Sequence, residues 1–83
     1  MKISSIWDNK GESYDRYTVI FENIDRELEL NHCLSVSSDP DSIQGYSNFS
    51  YGLAGDHLGE RVTFEALPED IQKHIGRRIN GGY

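Results

Sequence analysis

His32, Cys33, His57 and His74 are the residues of this 83-residue chain best suited by type to ligate a metal or move a proton. A structural zinc site is built from ligands paired at short spacing, as in C-x2-C or H-x3-H. Here the one close pair, His32 and Cys33, is adjacent, and adjacent residues of a strand point to opposite faces. They cannot readily share an ion, so no metal site and no cofactor are expected. Asp56-His57 has the composition of an acid–base pair. Sequence neighbours seldom orient one another, however, and a nucleophile, its base and the orienting group converge from separate elements. No G-x-S-x-G elbow, H-E-x-x-H helix or Walker loop is present. The expectation is a protein without catalytic residues, not an enzyme.

The stretch Ser42–Gly59, SIQGYSNFSYGLAGDHLG, holds four glycines, three aromatics and no charge before Asp56. It reads as neither strand nor helix. Gly52-Leu53-Ala54-Gly55 followed by Gly59 has the makings of a backbone nest for an anion. Phosphate loops lead into a helix, whereas this one leads toward a strand and contains no lysine or arginine. Turn glycines are the simpler account. Tyr46, Phe49 and Tyr51 are either folded back over the sheet or presented as amphipathic anchors for a partner. The acids Asp39, Asp41, Asp56 and Glu60 flank them. These seven residues form the expected partner-binding set: the acids for electrostatic steering, the aromatics for anchoring.

The elements that must position this segment follow from periodicity. Ile3–Trp7 reads as a short edge strand, ending at the turn composition Asp8-Asn9-Lys10-Gly11. Tyr14–Glu22 is a strand with Tyr17, Val19 and Phe21 on one face. Glu27–Val36 alternates over ten residues, with Leu28, Leu30, His32, Leu34 and Val36 on one face and Cys33 and Ser35 on the other. Such a period of two predicts one buried and one wet face in an antiparallel hairpin, Tyr17–Val36. The run Ser37-Ser38-Asp39-Pro40-Asp41 breaks the strand. Glu60–Phe64 is a last short strand, and Pro68 opens a helix with Ile71, Ile75 and Ile79 on one stripe. Glu69 and Asp70 near its start and Lys73, Arg77 and Arg78 toward its end suit the helix dipole. Asn80-Gly81 is its natural stop. Gly76 inside it either admits a close approach to the sheet or is simply tolerated. The predicted fold is a single α+β domain, residues 1–83: an antiparallel sheet of three or four strands with one C-terminal helix packed on it.

Composition bounds the function classes. Fourteen acids against eight bases give a net charge of −6. That balance argues against direct nucleic-acid binding, which needs a basic footprint to release counterions. One cysteine excludes an intramolecular disulfide framework. Met1–Trp7 is too short and too polar for a signal peptide, and no run approaches membrane-spanning length. A cytoplasmic protein that is a monomer or small homo-oligomer, without membrane contact, is the expectation.

Asp15-Arg16-Tyr17-Thr18-Val19, then His57-Leu58-Gly59, Phe64, Leu67-Pro68, Gln72 and Ile75 together resemble a family of small proteins of unassigned function from bacteriophage, prophage and other mobile elements. The resemblance spans most of the chain. It implies a context rather than a chemistry: stoichiometric binding to a protein or nucleoprotein complex of the host bacterium, in its cytoplasm. An anti-defence inhibitor, such as an anti-CRISPR, is the concrete form, and the acidic residues favour a basic surface on the partner. The alternative is a protein that sequesters a small nucleotide-like ligand; a minor enzyme ranks below both.

Overall fold

The computed structural model describes residues 2–12, 15–22, 31–37 and 47–80. Within them lie β1 (Ile3–Asp8), β2 (Tyr17–Phe21), β3 (Asn31–Val36), β4 (Ser47–Gly52), β5 (Glu60–Val62) and α1 (Glu69–Ile79). Two short 3-10 turns, Asp56–Leu58 and Phe64–Ala66, join the later elements. The strands form one antiparallel sheet in the order β4-β3-β2-β1-β5. The fold is α+β as expected, with five strands rather than three or four. The addition is β4, drawn from the segment that reads as neither strand nor helix. Its sequence SNFSYG has little β propensity beyond Phe49 and Tyr51, and pairing with β3 supplies what propensity does not.

The β2–β3 hairpin pairs Tyr17 with Val36 and Ile20 with Cys33. Its reversal, including Leu28 and Leu30, lies outside the described residues. β1 is not an edge strand: β2 flanks it on one side and β5 on the other, with Asp8 opposite Glu60. The β1–β2 reversal is fixed by side chains. Asp8 Oδ1 accepts from the Lys10 backbone N–H at 2.7 Å and from Arg16 Nε at 2.9 Å. Asn9 Oδ1 accepts from the Gly11 N–H at 2.9 Å. These bonds hold Lys10 at φ 61°, an unfavourable conformation for a side chain longer than asparagine.

One face of the sheet carries the main core. Ile6, Tyr17, Val19, Phe21, Leu34 and Val36 pack against Leu67, Ile71 and Ile75. The isoleucine stripe of α1 does what its spacing predicts: Ile71 and Ile75 are buried and Ile79 packs at the margin. Pro68 stands at the N-cap, and the Gln72 amide donates back to the Leu67 carbonyl at 2.9 Å, tying the helix to the turn before it. A Cβ on Gly76 would meet no atom within 4 Å, so no close approach to the sheet explains this glycine.

The opposite face is not wet. Trp7, Ile20 and Cys33 form a second buried cluster, with Leu58 packed on it. The reason is topological. β4 and β5 lie at opposite edges, about 19 Å apart at four inter-strand spacings. Residues 53–59 must bridge that width. They do so over this face and bring Leu58 down onto the sheet. The Trp7 indole N–H donates to Ser5 Oγ at 2.8 Å, which satisfies the one polar atom this small core buries with the ring. Cys33, expected on a solvated face, is therefore 3% exposed.

Candidate functional site

β4 places alternate side chains on the helix-covered face. Phe49 lies opposite Leu34 and Tyr51 opposite His32. The Phe49 ring stands 6.4 Å from that of Phe21, and the Arg78 guanidinium lies 4.7 Å over it. Ser47 Oγ and His74 Nε2 are 2.7 Å apart, fastening β4 to the middle of α1. Burial, with help from Arg77 and Arg78, holds the His74 imidazole below its ordinary pKa, so the ring is neutral at pH 7. The Ser47–His74 contact has the types of a nucleophile and its base, but neither side chain lines the depressions described below. It acts as a strut between helix and strand.

Beyond Phe49 this face carries the exposed side chains of His32 and Tyr51. Tyr51 meets His32 edge to face, with centroids 4.6 Å apart. His32, Phe49, Ser50 and Tyr51 line a shallow groove of about 160 Å³. Phe49 at 40%, Tyr51 at 59% and Leu53 at 53% are the exposed large hydrophobic residues among those described. All three belong to β4 or the residue following it. Two of the expected anchors, Phe49 and Tyr51, are thus side by side, while Tyr46, Asp39 and Asp41 lie outside the described residues. Leu53, His32 and Arg78 were absent from the expected set. Leu53, the one large apolar residue of Gly52-Leu53-Ala54-Gly55, could have been found from sequence; His32 and Arg78 join only through register and helix packing.

Asp56 and Glu60 sit elsewhere. They line an open polar depression of about 390 Å³ at the β1–β5 end, with Asp8, Asn9, Lys10, Glu12, His57 and Gly59. Its charges are largely spoken for: Lys10 Nζ is 3.2 Å from Glu60, and Arg16 clamps Asp8. The Arg16 hydrogen bond holds the Asp8 carboxyl below its ordinary value. The structure therefore brings the aromatics together at one sheet edge and these two acids together at the other.

A third depression, about 260 Å³, lies between the crossover and the sheet. Thr18, Ser35 and Ser50 offer hydroxyls, Ile20 and Leu58 an apolar floor, Cys33 and His57 also line it, and Tyr51, Gly52 and Leu53 at the end of β4 form its rim. Burial pushes the Cys33 thiol up, so it stays protonated at neutral pH and is a poor nucleophile. Among the described residues, no group of three or more His, Cys, Asp and Glu side chains could hold a metal ion, and no helix is long and apolar enough to cross a membrane. No protein-family model, curated protein or solved structure matches the chain.

Proposed function

We propose that this protein is a non-catalytic binding protein of phage or mobile-element origin. It acts stoichiometrically in the cytoplasm of a host bacterium, by covering a surface of a host protein or nucleoprotein complex as an anti-defence inhibitor of the anti-CRISPR kind. The observation that carries the reading is the gathering of Phe49, Tyr51 and Leu53 on one uncharged strand and its exit. Tyr and Phe supply large contact area at low entropic cost and are enriched at the centres of protein interfaces. The net charge of −6 supports a basic partner, with steering that weakens as salt rises. A second reading, sequestration of a small ligand, has the 260 Å³ cleft in its favour. That cleft is lined by no lysine or arginine, so a phosphate there would lack a counter-charge.

Affinity capture from the natural host, at stepped salt, with wild-type protein and the Tyr51→Ala/Leu53→Ser double variant tests the proposal. Both side chains are more than half exposed, so the variant keeps its core. The expected result is a specific host protein retained by the wild type and lost, by tenfold or more, with the variant. Equal retention by both would remove this surface from the function.

A further inference from the structure

The two edges of the sheet are built differently. β5 is three residues long and carries Glu60 and Arg61, the short, charged edge with which proteins discourage unwanted strand pairing. β4 is six residues long and contains neither a charge nor a proline. Among the described residues it has a strand neighbour on one side only. A chain of net charge −6 has acids to spare for guarding that edge, yet β4 has none of them.

We propose that β4 pairs antiparallel with β4 of a second copy of this chain, about a two-fold axis at Ser50, joining two five-stranded sheets into one of ten. The register follows from the pleat. Residues directly opposite one another on paired strands share a face, so an antiparallel self-pairing must match odd positions with odd and even with even. Centring the axis on Ser50 sets Phe49 against the partner copy's Tyr51, and Tyr51 against its Phe49. Two aromatic cross-strand pairs form on the face that bears the groove. Asn48 meets Gly52 of the second copy on the other face, and Ser50 meets its own image. No like charges are opposed anywhere along the strand, whereas at the β5 edge an axis on Glu60 or on Arg61 would set that charge against its own image. The contact is isologous and closes at two copies. The aromatic groove is doubled rather than consumed, because backbone pairing uses the strand's edge and leaves its face open. One strand pair with four rings is smaller than a standard interface, so the affinity is modest, on the order of 10–100 µM.

The test measures mass on purified protein with no host component present, so its failure is separate from any failure of partner capture. Sedimentation equilibrium from about 10 µM to 1 mM should show wild type passing from 9.5 kDa toward twice that mass. Ser50 is exposed, so Ser50→Lys and Ser50→Glu both fold. Each alone should place two like charges on the axis and shift the dimerisation midpoint at least tenfold higher. Mixing the two variants should restore dimer at or above the wild-type level. Wild type that stays at 9.5 kDa throughout would overturn the proposal and leave this edge to a foreign strand. So would a dimer indifferent to either charge, or a mixture that does not recover.

Discussion

Gly59→Ala is the substitution that most directly tests how the crossover is seated. Seven residues, 53–59, must bridge about 19 Å from one sheet edge to the other. From Gly52 to Glu60 there are eight Cα steps, three of them in a 3-10 turn at about 2 Å each and five reaching at most about 3.5 Å each, roughly 24 Å in all. The chain must also run along the sheet from the Asn31 end of β3 to the Asp8 end of β1. The connection has almost no slack. It arrives with Gly59 at φ 109° and ψ −139°, backbone that favours glycine, directly on the β1 main chain. A Cβ there would run into the Asp8 carbonyl oxygen and the Asn9 Cα. The dihedral penalty is about 1–3 kcal/mol, and shifting two backbone segments adds about 1–2 kcal/mol more. An 83-residue domain has about 4–12 kcal/mol of stability to lose. With a urea slope near 1 kcal/mol/M for a protein of this size, a loss of about 3 kcal/mol lowers the unfolding midpoint by about 3 M. Urea titration followed by Trp7 fluorescence reads this well, since the indole lies in the cluster that the crossover covers. A midpoint shift under about 0.5 M would mean the crossover does not sit against β1 as described.

Gly76→Ala should act in the opposite direction. Its site is helical and open, so the gain in helix propensity of about 1 kcal/mol is not offset by a clash, and the melting temperature should rise by about 4–8 °C. Acidification should destabilise the helix–β4 junction through His74. Because its folded pKa lies below the ordinary 6.5, the stability it contributes is fully present above pH 6.5 and is lost as pH falls through the folded value. Denaturant titrations at pH 7.5, 6.5 and 5.5 should show that loss in wild type and a flatter profile in His74→Gln, which retains a partner for Ser47. The Asp8–Arg16 contribution belongs to a separate window, lost only as pH falls below 3.8 toward the lowered Asp8 value.

Periodicity determined much of this protein. The alternation in Tyr17–Phe21 and Asn31–Val36 needs only the strand's period of two to predict a hairpin with Val19, Leu34 and Val36 inside, and those residues are fully buried. The spacing of Ile71 and Ile75, with acids before and arginines after, likewise makes α1 legible without any partner in view. Both are local signals, carried within a dozen residues. The site was half legible. Phe49 and Tyr51 stand out by type, but a strand as polar as SNFSYG has no pattern of its own, and only the open flank of β3 makes it one.

What the tertiary structure decided is everything that depends on order across the sheet. Placing β4 and β5 at opposite edges sends the glycine-rich segment over the second face, buries Cys33 and separates Asp56 and Glu60 from the aromatics. It also leaves β4 as the long uncharged edge. Pairing order is a property of non-local backbone hydrogen bonds, which no residue's own propensity or neighbours encode, and so the sequence supplied the aromatic side chains while the sheet chose where they face.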